Sequence, residues 1–151
     1  RAVHMLRMTK KNHGRFTLIA LMIGVVIIGI LAALAIPRFM TATTRSKQSE
    51  AKQILKQIYT MQHSFRQGNP AGTYGDNAVV AAAGGNFPQI GVEIMAAARY
   101  TYTMVATATT FTCTAAADAA PGQNLDDDAT IDTWTIDQLG NLVNTINDVI
   151  L

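Results

Sequence analysis

A single cysteine, Cys113, leaves this chain without a partner for an intrachain disulfide, so its fold must hold by packing alone. Set in an alternating apolar segment, Cys113 reads as a small buried residue on a strand. Charge is scarce as well: 15% of residues are charged and 49% are apolar. That balance is greasy for a small soluble domain and points to apolar mass placed in lipid or in a protein contact. Acids are nearly absent from the first half. From Arg1 to Arg66, eleven Lys/Arg stand against one acid, Glu50; from Gln67 to Leu151, one base, Arg99, stands against nine acids. The N-terminal half therefore favours anionic partners and the C-terminal half does not. The histidines His4, His13 and His63 are scattered, without metal-ligand spacing. No Ser/His/Asp set, phosphate-binding Gly loop, paired-carboxylate motif or internal repeat is evident, so nothing here recommends an enzyme. At 151 residues there is room for one domain plus an anchor, not for two full domains.

What is present begins with a basic leader, 1–15, carrying Arg1, Arg7, Lys10, Lys11 and Arg15 and no acid. Phe16 to Ile36 follows, 21 residues without a charge. As a helix it spans roughly 31 Å, close to the hydrocarbon thickness of a bilayer. The positive flank predicts a cytoplasmic N-terminus with the rest of the chain outside, and it accounts for the leader's charge better than nucleic-acid binding does. A cleavable secretory signal would have a shorter apolar stretch followed by a small-residue cleavage site, which Ala32, Ala33 and Ala35 could supply. The helical pattern, however, continues through Pro37, which argues for an anchor that is kept. Pro37 is expected to bend the helix without ending it.

Beyond it, Ala51, Ile54, Leu55, Ile58, Met61 and Phe65 fit one helix face, with Phe39 and Met40 before them. Arg45, Lys47, Glu50, Lys52, Lys56 and Arg66 form the solvated face, with a weak Lys47–Glu50 pair. The helix is expected over 16–67, as a transmembrane part, 16–36, and an amphipathic part, 37–67, stopping at Gly68-Asn69-Pro70. Its 52 residues would reach roughly 78 Å, longer than a globule of this size can enclose.

The head, 68–151, is expected to open with an irregular loop, Ala71 to Phe87. Three or four short antiparallel strands follow, near Tyr100–Ala106, Thr110–Ala115, Thr130–Ile136 and Leu142–Ile146, with a turn at Gln138–Asn141. Tyr100, Tyr102 and Met104 share one face, as do Phe111 and Cys113, and Trp134 and Ile136. A sheet this small needs a helix on its apolar side, and Ala51 to Phe65 is the candidate. The fold class is therefore α+β, a long N-terminal helix packed on a small antiparallel sheet.

Phe16-Thr-Leu-Ile-Ala-Leu-Met-Ile, with Ile27-Ile-Gly-Ile-Leu-Ala-Ala-Leu-Ala-Ile-Pro37, resembles the N-terminal signature of type IV pilins and type II secretion pseudopilins. The basic leader with Gly14, and the Asp132-x-Trp-Thr-Ile-Asp-x-x-Gly140 segment of the head, are similar to the family as well. The resemblance implies the type IV pilin fold and a leader-processing region at Gly14, Arg15 and Phe16. It implies an assembly helix through Phe16, Leu18, Ile19, Ala20, Leu21, Ile23, Ile27, Ile28, Gly29, Leu31 and Pro37. It further implies an inner-membrane precursor, cleavage by a prepilin peptidase, methylation of the new N-terminus, and helical homo-oligomeric assembly into an extracellular filament by an ATPase-driven machinery. Met8 as the start would give a seven-residue leader ending at Gly14. Two positions depart from the family pattern: Arg15 stands between Gly14 and Phe16, and Ala20 stands where a Glu is usual if Phe16 is the first mature residue. That carboxylate is thought to pair with a neighbour's N-terminal amine.

The acidic run Asn124-Leu-Asp-Asp-Asp128 with Asp132 reads as a solvated loop, without EF-hand spacing. Because some pseudopilins bind calcium in their C-terminal loop, the resemblance makes Asp126, Asp127, Asp128 and Asp132 candidate weak calcium ligands; no other cofactor is expected. The helix aromatics Phe16, Phe39, Tyr59 and Phe65 are packing residues. Three functions stay open: a structural pilus subunit, a pseudopilin of a type II secretion system, and a membrane-anchored binding domain that does not polymerise.

Overall fold

The computed structural model describes residues 14–118, 125 and 130–148, the side chains of 14–16 excepted. The chain divides into two compact units, Arg1–Phe39 and Met40–Leu151. A single helix, α1 (Gly14–Gly68), is 55 residues long and contains Pro37 within its length. Proline costs a helix one backbone hydrogen bond and crowds the preceding turn, yet good helix formers on both sides keep α1 continuous. It ends where the sequence anticipates. Asn69 still donates its N–H to the Phe65 carbonyl at 2.8 Å, and Pro70 then bars the helical conformation for the residue before it.

In the second unit, α1 buries one stripe: Thr44, Gln48, Ala51, Leu55, Ile58 and Gln62, in steps of three and four. Ile54, Met61 and Phe65 flank that stripe half-buried, whereas Phe39 and Met40 are exposed. The stripe faces a five-stranded antiparallel sheet. In chain order the strands are β1 (Val80–Ala81), β2 (Asn86–Phe87), β3 (Val92–Glu93), β4 (Tyr100–Ala106), β5 (Phe111–Ala117), β6 (Thr133–Asp137) and β7 (Leu142–Ile146). The sheet runs β1-β4-β5-β6-β7, and β2 with β3 forms a separate hairpin. Alternation along the strands sends Tyr100, Tyr102, Met104, Phe111, Cys113, Ala115, Trp134 and Ile136 inward, where they join Ala51, Leu55 and Ile58 in one core. Burying each large member contributes about 1.5–3 kcal/mol. Burial also pushes the Cys113 thiol up to about 12 and drives the Tyr100 and Tyr102 phenols well above their usual range. All three are neutral packing groups at ordinary pH.

The strands exceed the three or four expected. Val80–Ala81 and Asn86–Phe87 lie inside the stretch read as irregular. Each is two residues long and leaves no periodic trace, because its conformation is set by a partner. Val80 and Ala81 pair with Thr103 and Tyr102, and the preceding backbone zips on through Ala78 N–H to Met104 O (3.0 Å) and Met104 N–H to Val79 O (2.9 Å). The same loop holds two non-glycine residues in the left-handed region, Asp76 (φ 56°) and Ala78 (φ 61°). Asp76 is fixed there by its buried carboxylate, which accepts the N–H groups of Gln89 (3.1 Å) and Ile90 (2.9 Å). The expected Lys47–Glu50 pair does not form. Each side chain satisfies a distant backbone group instead: Lys47 Nζ donates to Leu125 O (2.6 Å), and Glu50 accepts from Arg99 N–H (3.0 Å).

The helix is locked to the sheet by polar groups at both ends of its stripe. Gln62 Nε2 donates to Gly75 O at 2.8 Å, and Gly75 N–H returns a bond to Gln62 Oε1 at 3.0 Å. At the other end, fully buried Asp132 collects five donors. Gln48 Nε2 (2.8 Å), Tyr100 O–H (2.7 Å) and Trp134 Nε1 (2.7 Å) make the short bonds, and Asn144 Nδ2 and Asp148 N–H approach at 3.3 Å. The β6–β7 turn closes on the helix as well. Gly140 adopts φ +83°, and a side chain there would meet the Tyr59 ring at 3.3 Å. Asp137 caps that turn; chiefly the Asn141 side-chain amide, with backbone N–H groups beside it, holds its carboxyl below the usual range.

Asp132→Asn turns one acceptor oxygen into a donor facing Tyr100, Trp134 or Gln48. The expected loss is about 2–4 kcal/mol of stability, the scale of a buried charged acceptor removed from its donors. Urea denaturation of the full chain in detergent measures it; a midpoint equal to that of the unaltered chain contradicts the lock.

Candidate functional site

The chemistry-bearing feature of this chain is an apolar surface without a cover. From Leu18 to Ile36, thirteen large apolar side chains are more than half exposed, among them Leu21 at 68% and Ile28 at 67%. They occupy consecutive positions through several turns, so α1 is apolar on every side here and has no solvated face. An 18-residue window reaches a mean hydropathy of 3.1 with none of it buried. Among the described residues this is one helix long and apolar enough to cross a membrane. Covering a large apolar side chain is worth about 1.5–3 kcal/mol, so the stretch leaves on the order of 10–20 kcal/mol of burial unrealised.

Leu18, Ile19, Ala20, Leu21, Ile23, Ile27, Ile28, Gly29, Leu31 and Pro37 all fall within this stretch of α1 or at its end. Met22, Val25, Val26, Ile30, Leu34 and Ile36 share the exposure; they were legible through hydropathy and not through the signature residues. Gly14, Arg15 and Phe16 belong to the first turn of α1, but their side chains lie outside the described residues. Gly24 and Gly29 are informative. A Cβ at either would meet nothing within 4 Å, so the chain's own packing does not require glycine there. Ala20 is exposed and brings no carboxylate into the stretch.

Asp126, Asp127 and Asp128 lie outside the described residues. Asp132 is described, and its oxygens meet the donors given above. Among the described residues no group of three His, Cys, Asp or Glu stands close enough to hold a metal ion. His63 is built into an aromatic cluster, 4.5 Å from the Tyr59 ring and 5.7 Å from that of Tyr74, with Nε2 3.1 Å from Gln138 O. A shallow notch of about 200 Å³ lined by Glu50, Ile54, Met95, Ala97 and Ala98 is small beside ordinary ligand pockets.

The type IV major pilin protein PilA of Myxococcus xanthus is 63% identical to this chain over 59 residues, which is 39% of the chain and 26% of that protein. The fimbrial protein EcpC of Eikenella corrodens is 37% identical over 94 residues, 52% of the chain and 61% of that protein. Over the part it shares with them, the chain is similar to proteins of the type IV pilin and pseudopilin family. The type II secretion system core protein G of Pseudomonas aeruginosa is 35% identical over 82 residues, 52% of the chain and 58% of that protein. The chain thus spans less than two thirds of the length of each of these relatives. No protein-family model and no solved structure matches it. A long N-terminal helix on a small antiparallel sheet matches the type IV pilin fold, and the uncovered apolar stretch lies on that helix.

If that stretch carries the chain's demand for an apolar environment, a chain beginning at Met40 stays in the aqueous phase of a detergent phase separation, whereas the full chain enters the detergent phase. Full-length protein recovered in the aqueous phase as a monomer contradicts the assignment.

Proposed function

We propose that this chain is a structural subunit of a type IV pilus-like extracellular filament, held in the inner membrane as a precursor and assembled through its apolar helix. The single observation that carries the proposal is the charge-free segment of α1, exposed on all sides. A segment of that kind needs lipid or copies of itself, and one chain that uses both in turn can be stored in a membrane and drawn into a filament. The pilin and fimbrial relatives support the reading. So do Gly24 and Gly29, since small residues let helix backbones approach closely. Removal of the leader by a prepilin peptidase and extrusion by an ATPase-driven machinery belong to the same proposal, and the role is structural, not enzymatic. A pseudopilin of a type II secretion system is the second reading, favoured by the match to core protein G. A calcium role for Asp126, Asp127, Asp128 and Asp132 stays with that second reading.

Leu21→Arg or Ile28→Arg is expected to abolish filaments, because a charge at mid-membrane costs roughly 2.5–3.5 kcal/mol on insertion scales and each subunit would carry one. Electron microscopy of cells bearing either variant reads the result; a normal yield of filaments sinks the assembly claim.

A second test concerns Ala20. An N-terminal amine buried in an apolar core needs a compensating group, which Ala20 cannot provide. Mass spectrometry of purified filaments is expected to find a processed N-terminus at Phe16, with the charge met by a group on another subunit. Peptides beginning before Arg15 refute processing there. With processing in place, Ala20→Glu is expected to assemble at least as well as the unaltered chain, and loss of filaments in that variant would show a core built around a different charge arrangement.

A further inference from the structure

The turn that joins β6 to β7 holds one apolar side chain out into solvent and fixes it there. Leu139 is 74% exposed, the highest value of any large apolar residue among those described. Its backbone is tied down. Leu139 N–H and Asn141 N–H both donate to Asp137 Oδ1 at 2.9 Å, and Gly140 N–H donates to Asp137 O at 3.0 Å. Gly140 in turn lies against the Tyr59 ring of α1, and Gln138 O lies 3.1 Å from His63 Nε2. A lone exposed leucine is ordinary. One presented on a rigid turn loses little further freedom when something covers it.

The shallow notch of about 200 Å³ lies elsewhere on the same head, lined by Ile54, Met95, Ala97 and Ala98 with Glu50 beside them. Ligand pockets run to roughly 300–1,000 Å³, whereas this notch has room for a single aliphatic side chain. Glu50 brings its one charge, and that carboxylate is engaged by the chain's own backbone, accepting Arg99 N–H at 3.0 Å. Met95 is itself 70% exposed, and its flexible thioether can close over a side chain that enters.

The two features occupy opposite edges of the head. Ala97 and Ala98 lead into β4, where β1 pairs only with Tyr102 and Thr103, so the start of β4 is open on that side. Leu139 lies between β6 and β7, at the far edge of the same sheet. Opposite edges cannot both face one partner, which excludes a closed two-fold pair for this contact. Knob and notch meet only head to tail, each copy entering one neighbour and receiving another, the arrangement that propagates as a helix of subunits. The axial offset follows from α1. The notch touches it at Glu50 and Ile54, and the turn touches it at Tyr59 and His63. Nine residues separate the midpoints of those pairs, about 14 Å of helix.

We propose that Leu139 of one copy of this chain inserts into the notch of Ile54, Met95, Ala97 and Ala98 on a second copy. The two heads then stand side by side with their helices running the same way, offset by about 14 Å. The inference rests on the filament reading and deepens it. One leucine covers far less than the roughly 1,200–2,000 Å² of a stable interface, so this contact does not hold two copies together alone. On the filament reading the apolar helix supplies that area without direction, and the knob fixes the stagger.

The test compares cells carrying the unaltered chain, Leu139→Asp, Ala97→Trp, and Leu139→Cys paired with Ala97→Cys. Both positions are exposed, so membrane-held precursor and its protease resistance are expected to be unchanged throughout. Leu139→Asp puts a charge into the notch and Ala97→Trp fills it; each is expected to lower filament number roughly tenfold. Filaments of the cysteine pair, oxidised and then denatured, are expected to give a ladder of dimers, trimers and longer multimers. Cys113 is buried, and either new cysteine alone gives no ladder. Filaments at normal number with Leu139→Asp and Ala97→Trp, or no ladder from the cysteine pair, overturn the proposal. A band of dimers alone overturns it as well, since that marks a two-fold contact. Absence of filaments from the unaltered strain would instead count against the filament reading itself, so the two failures are distinguishable.

Discussion

One helix is required to satisfy two different surroundings. Over Leu18 to Ile36 it presents hydrocarbon on every side, and from Thr44 to Gln62 it presents one narrow stripe to a sheet. Backbone hydrogen bonding inside a helix is indifferent to that change, which is why α1 can run unbroken through Pro37 while its side chains switch solvent. The head then needs only enough apolar area to cover one stripe. It supplies that area with a small sheet whose inner face is closed by tyrosines, Phe111, Cys113 and Trp134.

The head's economy has a polar counterpart. A stripe made entirely of Leu and Ile would bind the sheet in several registers about equally well, since apolar contact is non-directional. Gln48 and Gln62, both buried, remove that freedom. Each has a geometric demand that a displaced helix could not meet: Gln62 with both atoms of its amide on Gly75, and Gln48 with its amide nitrogen on Asp132. Asp132 in turn fixes Tyr100 and Trp134, so β4, β6 and α1 are positioned around one carboxylate. With Cys113 as a free thiol, this junction is held by hydrogen bonds and apolar packing and not by a disulfide.

Much of this was legible in the sequence. Hydropathy alone located the uncovered stretch, since twenty-one uncharged residues admit few other readings. Period-two alternation found β4, β5 and β6 to within two or three residues, because each is long enough to show both of its faces, and the turn at Gln138–Asn141 placed β7 after it. The short strands β1 and β2 were hidden, being two residues each and defined by what they pair with. The buried glutamines were hidden for a different reason: a polar residue on an apolar stripe looks like the edge of the stripe until its partner, 84 residues distant in one case, is known to face it. Asp132 was visible as a member of an acidic run. Its inward turn became visible only when Tyr100 and Trp134 were seen to aim at it, since composition cannot separate a solvated carboxylate from a collecting one.

Gly24 and Gly29 carry a consequence for how variation in this chain is to be read. A side chain added at either meets nothing in the subunit, so the isolated protein has no steric means of registering the change. On the filament reading, a steric penalty arises where a second backbone comes near. Folding assays on the purified subunit register only the change in helix propensity at these two positions, and a damaging clash there would emerge as a defect of the collective, with every individual molecule intact.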